Sequence, residues 1–501
     1  MRVVIGIDIG TTNTKAVAMA EDGVTLGSAS VSYQVYKDGE GRHELDPDQL
    51  LDAVVTTLRK VVEKLVAAGL AGRTVKGRGL AGISLSCAMH SLIAVDGEGH
   101  PLTRAITWAD VRSEAYARKL RGTETGKRIY AVTGTPIHAM SPLCKLLWLK
   151  EQEPELFRRA ARFVSIKEYI WRRLFGKYRV DHSLASATGL FDIRRRAWNP
   201  ESLALAGIDE GQLSEPVPCT YWEAGLLPGW ASLGLPVDLP FVIGSSDGCL
   251  ANLGTGAIRR GDTALTIGTS GAIRMTTTAP ETDVQERIFS YVLADGYYVC
   301  GGATNNGGNV LQWYTGQVLG RKDADATELA KLVTEANTVA PGCEGLVFLP
   351  YVHGERAPVW DADAKGVFFG VRSIHEQRHF LRAVMEGVSF SLRQVGASLE
   401  ETIGPIERIY ASGGFTHSPI WLQMMADIFQ KKVMVTGAAD ASAVGAAQLG
   451  FYALGILPGL DAAASLVKVE AVYEPASEQA EVYRKNYRVF TELYGRLKDL
   501  M

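Results

Sequence analysis

A short hairpin signal occurs twice in this chain, half its length apart, and it constrains the fold more than any other feature. Near the start, strand-like runs Val3 to Asp8 and Lys15 to Met19 flank the turn Gly10-Thr11-Thr12-Asn13. Near the middle, Ala264 to Ile267 and Ala272 to Met275 flank Gly268-Thr269-Ser270. Apolar runs broken by a glycine and hydroxyl turn read as antiparallel strand pairs. Self-similarity at so long a period signals a duplicated domain, here in two copies and not a solenoid. Each half then carries one such hairpin, the two facing each other across a cleft. The glycine-rich stretch Gly254 to Gly261 suits a hinge, which predicts domains over residues 1–253 and 254–501.

The rest of each half reads as mixed sheet with helical cover, an α/β class. A third strand-like run covers Thr25 to Tyr33, and Asp46-Pro47 offers a helix cap followed by a proline at the first helical position. Leu51, Val54, Val55, Leu58, Val61, Val62 and Leu65 recur at helical spacing until Gly69. Gly79 to Ser86 and Ser91 to Val95 return to strand character. In the second half, strands near Ile288 to Leu293 and Tyr297 to Cys300 precede helices near Val310 to Leu319 and Thr327 to Val339. A long helix then spans His375 to Glu401. Strand Ile406 to Ser412, helix Ser418 to Phe429, strand Lys432 to Val435 and helix Ala441 to Ala453 follow. Ser477 to Lys498 reads as a charged surface helix.

Composition removes several function classes. The 501 residues hold 52 basic and 55 acidic side chains without a basic block, which argues against a nucleic-acid partner. No stretch approaches the ~18 uninterrupted apolar residues of a membrane span. Asp8 sits where a leader peptide needs its apolar centre, so a cytoplasmic protein is expected. Six cysteines without a Cys-x-x-Cys pair indicate neither structural zinc nor a disulfide framework.

Asp8-Ile9-Gly10-Thr11-Thr12-Asn13-Thr14-Lys15 supplies what a triphosphate needs. Glycine lets backbone N–H groups approach phosphate oxygens, Thr11 and Thr12 donate hydroxyls, Lys15 brings charge, and Asp8 can hold water on Mg²⁺. This is not a Walker A loop, which spaces its glycines and lysine differently. Taken alone, one copy could be an ordinary polar turn. The second copy, at Gly268, Thr269 and Ser270, makes that reading weak.

Together with Tyr410-Ala411-Ser412-Gly413-Gly414-Phe415, the paired hairpins resemble the two phosphate motifs and the adenosine motif of the actin, Hsp70 and sugar-kinase superfamily. Residues 140–152, Met-Ser-Pro-Leu-Cys-Lys-Leu-Leu-Trp-Leu-Lys-Glu-Gln, resemble the first signature of the FGGY carbohydrate kinases. Gly366 to Val371, followed by His379-Phe380 and Ala383 to Glu386, resembles the second. The resemblance covers roughly residues 3 to 455. It implies two ribonuclease-H-like domains, ATP and Mg²⁺ as cofactors, a small sugar or sugar acid as partner, and room for a homodimer.

The resemblance also assigns residues. Asp247, in Ile243-Gly244-Ser245-Ser246-Asp247-Gly248, becomes the general base on a glycine-flanked loop, although an aspartate there could equally cap a helix or turn. Met89 and His90 match a sugar-contacting Met-His pair. Trp108 and Arg112 offer an aromatic face and a guanidinium, with core packing and a structural ion pair as their plainer roles. Gly308, Gln312, Gly413, Gly414 and Ser418 match positions that border the nucleotide. Gly354-Glu355-Arg356-Ala357-Pro358 is family-like without a role.

Four runs narrow the resemblance towards the gluconate kinases: residues 88–93, 106–110, 133–138 and 181–187. The activity this implies is transfer of phosphate from ATP to the terminal hydroxyl of D-gluconate, giving 6-phosphogluconate. The open-chain acid needs a carboxylate partner, for which Arg112, Lys145 and His138 are the candidates, His138 the most telling. Xylulose kinases come next, sharing the Met-His pair and the aspartate, but commonly carry Asn where Gly248 stands. Glycerol kinases would need an Arg-Glu pair in place of Met89-His90. A non-catalytic nucleotide switch of the actin or Hsp70 kind would lack both FGGY signatures.

Overall fold

The computed structural model describes residues 1–70, 79–322, 324–437 and 440–501. Strands Arg2–Ile9 and Asn13–Ala20 pair antiparallel, with Ile9 opposite Thr14. Thr25–Ser32 extends one side antiparallel, while Gly79–Cys87 and Phe241–Ser246 extend the other in parallel and Trp222–Glu223 closes that edge. Alternate residues of the first strand serve two cores. Val3, Ile5, Ile7 and Ile9 join the larger one, and Val4 packs with Met19, Ala447 and Phe451 on the opposite face. A strand buried on both faces reads as a continuous apolar run, as this one does.

Helix Pro47–Ala67 forms as its sequence dictates. Asp46 accepts from the amides of Asp48 and Gln49, Pro47 opens the first turn, and Gly69 follows the end at a φ of 69°. Its apolar stripe from Leu50 to Leu65 is buried in the larger core.

The chain divides into two compact units, and neither is continuous in sequence. The first comprises Met1–Ile258, Thr277–Val299 and Asp440–Val467; the second comprises Arg259–Thr276, Cys300–Ala439 and Lys468–Met501. The compact units differ from a single cut after residue 253 in that two later segments return to the first unit. The physical reason lies in helix Ala441–Ala453, whose small residues carry no mark of which sheet they cover. A Cβ on Gly6 would fall 1.9 Å from the carbonyl oxygen of Ala443, and one on Gly445 would fall 2.0 Å from that of Leu250. Backbone meets backbone on both sides of this helix, which only glycine permits.

The second unit repeats the order of the first sheet. Asp262–Ile267 and Gly271–Thr277 form its hairpin, Tyr297–Thr304 lies outside the second strand, and Arg408–Ser412 and Lys432–Thr436 run parallel to the first. Helix Gln377–Thr402 is buried along most of its length, and the predicted helix after Val310 is a short turn, Gly308–Trp313, continued as a π-helical turn, Tyr314–Val318. The C-terminal helix, Ala480–Leu497, is no free surface helix. It buries Tyr483, Asn486, Phe490 and Leu493, and Asn486 donates to the Gly342 carbonyl at 2.7 Å. Its apolar positions were masked by the charges between them. Among the described residues no helix is long and apolar enough to cross a membrane.

Candidate active site

Two carboxylates stand at the carboxyl ends of parallel strands in the first unit. Asp8 lies near the end of Arg2–Ile9, Asp247 directly follows Phe241–Ser246, and Gly79–Cys87 runs between those strands. Such strand ends form the binding crevice of open α/β sheets. Gly244 has a φ of 75°, and a Cβ there would fall 1.7 Å from the Leu85 carbonyl oxygen, so the bend at this strand end needs glycine. The bend delivers Asp247 as the first residue of helix Asp247–Gly254, not onto a loop as the sequence suggests. Its Oδ1 accepts the Gly248 amide at 2.7 Å, and its carbonyl accepts the Ser442 hydroxyl at 3.1 Å.

Asp8 Oδ1 accepts the Ser86 hydroxyl at 2.7 Å. Burial first, and the neighbouring Asp247 carboxylate second, push the Asp8 carboxyl up to about 7, against the opposing pull of Ser86 and Lys15. Two repelling carboxylates in an oxygen donor set fit a hard dication such as Mg²⁺. Lys15 spends its charge on Asp440 at 2.7 Å. The turn itself is held by the Gly10 amide donating to Asn13 O at 3.0 Å and by the Tyr33 hydroxyl donating to the Gly10 carbonyl. Thr11 accepts from Trp108 Nε1 at 3.0 Å, Thr12 is exposed, and Asn13 is half-buried.

The sugar-side candidates differ in how their polar atoms are engaged. His90, held at a φ of 69°, places Nδ1 2.7 Å from the Ala187 carbonyl, so Nδ1 carries a proton, and in the neutral tautomer this leaves Nε2 as the acceptor atom. His138 does the reverse: Nδ1 accepts the Met140 amide at 3.1 Å, which puts the proton on Nε2 as a donor. Met89 is partly buried between two apolar clusters. Arg112 is bound by Asp110 at 2.8 Å and Glu44 at 2.6 Å and stacks over Trp148. Its fork thus serves the structural ion pair, which burial of both carboxylates requires. Lys145 is buried and donates to the carbonyls of His90 and Ile106, leaving its ammonium turned to main chain.

In the second unit, the Gly308 amide donates to the Gly268 carbonyl at 2.8 Å and the Asn309 amide to that of Thr269 at 3.1 Å. A trans peptide points its C=O and the following N–H in opposite directions. Pinning those two carbonyls therefore turns the amides of Thr269 and Ser270 the other way, as paired donors at an exposed turn. Gly268 has no protein atom within 4 Å of an added Cβ, which leaves room for close approach. Gly413, at a φ of 93°, lies against the Ile267 carbonyl, and Gly414 is open. Ser418 accepts from Trp421 N as the cap of helix Pro419–Phe429, while Gln312 is exposed on its own short helix.

Each half of the sequence matches one half of a known family. The N-terminal domain of the FGGY family of carbohydrate kinases matches residues 3–254 and its C-terminal domain residues 263–454. The chain belongs to the FGGY family of carbohydrate kinases. This FGGY kinase is 41% identical to a gluconokinase of Bacillus licheniformis over 502 residues, covering 99% of this chain and 96% of the relative. A crystal structure of gluconate kinase from Lactobacillus acidophilus superposes with a TM-score of 0.92 at 33% identity, covering 99% of this chain and 98% of that one. A ligand-bound xylulose kinase from the same organism gives 0.93 at 32% identity, covering 99% of each chain. The two-domain, actin- and hexokinase-like fold expected from the paired hairpins is the fold of the FGGY kinase, and carbohydrate kinases of this family use ATP.

Three residues of the site were not singled out in the sequence. Ser86 lies one residue before the end of strand Gly79–Cys87 and could have been found from that strand's pairing with the Asp8 strand. Asp440 and Ser442 lie some 190 residues beyond Asp247 and carry no local signal at all.

Proposed function

We propose that this FGGY kinase phosphorylates D-gluconate at its terminal 6-hydroxyl, with Mg-ATP as donor and Asp247 as general base. The substrate rests on one observation: identity to a gluconokinase of 41% over 99% of this chain and 96% of the relative, against 30% to a xylulose kinase of Lactococcus lactis over a comparable length. The chemistry draws its support from the strand-end position of Asp247 beside Asp8. A primary hydroxyl attacks phosphorus once its proton can leave, and a carboxylate within hydrogen-bond reach accepts that proton as the O–P bond forms and ADP departs.

His90 Nε2 accepts a hydrogen bond from a sugar hydroxyl, and His138 Nε2–H donates to the substrate carboxylate. Asp8 would hold Mg²⁺, which when bound offsets the charge of the phosphates. The turn amides of Thr11 to Asn13, and those of Thr269 and Ser270, receive phosphate oxygens. The enzyme acts in the cytoplasm, a reducing compartment that suits six buried, unbridged cysteines.

The test is a panel of gluconate, D-xylulose and glycerol with ATP and Mg²⁺, run on wild type and Asp247→Ala. The expected outcome is turnover of gluconate, reduced roughly 10²- to 10⁴-fold in the variant while the KM for ATP holds. Efficient phosphorylation of D-xylulose with gluconate untouched would replace the substrate. Near-normal turnover in folded Asp247→Ala would remove the base.

A further inference from the structure

The family-like run Gly354-Glu355-Arg356-Ala357-Pro358 has no part in the chemistry above, yet Glu355 is fully buried. A buried carboxylate is costly unless its lone pairs are filled. Here five donors fill them. Oε1 accepts the amides of Asn305 at 3.0 Å and Arg356 at 2.7 Å. Oε2 accepts the Thr304 hydroxyl at 2.6 Å, the Asn306 side-chain amide at 3.2 Å and the Ser391 hydroxyl at 3.3 Å. An ionised carboxylate is the side chain that accepts on both oxygens without presenting a donor of its own. Three of the five donors come from three consecutive residues, 304 to 306.

The same two segments are laced by further bonds. Arg356 Nη2 donates to Thr304 O at 3.1 Å, Asn306 Nδ2 to Gly354 O at 2.7 Å, and Asn305 Nδ2 to His353 O at 3.1 Å. The three residues that follow, Gly307 to Asn309, are those that grip the turn at Gly268. Gly308 and Asn309 pin its carbonyls, and a Cβ on Gly307 would fall 2.5 Å from the Ser270 carbonyl carbon. Glu355 therefore stands one link behind the turn, in a continuous path through Thr304, Asn306 and Gly308.

We propose that Glu355 is a positioning residue for phosphoryl transfer: by gathering residues 304 to 306 it sets the peptide orientation of the Gly268 to Ser270 turn, and so the aim of the Thr269 and Ser270 amides at the phosphates of ATP. This rests on the assignment of that turn as a phosphate contact. Loss of the carboxylate leaves donors unpaired beneath the loop, and the loop shifts to satisfy them. The site for the sugar acid, built from the first unit, does not depend on this path.

Glu355→Gln keeps the shape but replaces an acceptor with a donor. With the full-length enzyme, its KM for ATP should rise roughly tenfold, with weaker binding of a non-hydrolysable ATP analogue to match, while the KM for gluconate stays within about twofold. A residue that only stabilised the fold would lower the melting temperature and leave the KM for ATP unchanged well below the transition. Gly268→Ala tests the underlying assignment, because its Cβ enters space empty of protein and alters only what binds there. If Gly268→Ala leaves ATP binding unchanged, the turn is no phosphate contact and the role of Glu355 falls with it. If Gly268→Ala weakens ATP binding and folded Glu355→Gln does not, the turn stands and Glu355 is overturned. Should Glu355→Gln fail to fold, Thr304→Val removes one donor at constant shape and should raise the KM for ATP about threefold. An unchanged value there also overturns the proposal.

Discussion

Lys167 donates to Asp181 Oδ2 at 2.7 Å and to the Ser245 carbonyl at 3.0 Å, so a fully buried ion pair fastens the strand end that presents Asp247. Ser183 reinforces it by accepting the Ser246 amide at 3.1 Å. Removing one member of a buried pair leaves the other charge uncompensated. Lys167→Met should therefore cost about 3–5 kcal/mol in urea unfolding, and adding Asp181→Leu should recover part of that loss.

Lys145 gives a pH signature. Burial holds its ammonium down to about 7, with Asp110 pulling the other way. In the unfolded chain a lysine keeps its proton up to about 10.4. Between these values the unfolded state binds more protons, so this contribution to stability grows with pH; it is complete above the unfolded value and is lost as pH falls through the folded one. The stability of wild type relative to Lys145→Met should rise by a few kcal/mol, on the order set by this shift, between pH 7 and 10. Paired denaturation curves across that range measure it, and a flat difference would contradict a depressed Lys145.

Arg112 and His138, both candidates for the substrate carboxylate, should now part company. Arg112→Ala strips a shared cation from Asp110 and Glu44, and should lower stability by roughly 3 kcal/mol. His138→Asn, which keeps an acceptor for the Met140 amide, should instead raise the KM for gluconate with little change in melting temperature. Calorimetry beside steady-state kinetics on the two variants separates these effects.

The crossing of two helices behind Asp247 predicts a steric variant. A Cβ on Gly254 would fall 1.9 Å from the Ala441 carbonyl oxygen. Gly254→Ala should destabilise the protein by about 1–3 kcal/mol and lower kcat more than the KM for ATP, since it displaces the Ser442 contact to Asp247. Thermal melts and initial rates report both.

What the sequence made legible follows from how local each signal is. The hairpins at Gly10 and Gly268 and the Asp46 cap are written in adjacent residues, and the structure realises them where they stand. Asp247 was found through a family-like run, but its placement on a helix was not, because a strand bent at Gly244 looks like a loop in sequence. For Arg112 a structural ion pair was foreseen as one of two roles, but not with which partner. Glu44, its partner, is 68 positions away, and nothing in either neighbourhood announces the pairing. The same holds for Lys15 and Asp440, and for the small-residue face of Ala441–Ala453. Contacts made across hundreds of residues are settled by packing, and packing leaves no local trace.

Helix Ala441–Ala453 also ties the enzyme's assembly to its synthesis. The strand bearing Asp8 is translated some 430 residues before the helix that covers its second face. Until then the sheet of the first unit exposes an apolar face, and the helix that begins at Asp247 lacks its neighbour. A ribosome that stalls in the second half releases a polypeptide that holds Asp8 and Asp247 yet has no finished unit around them. Such a fragment is a target for chaperones and proteases before it is a catalyst.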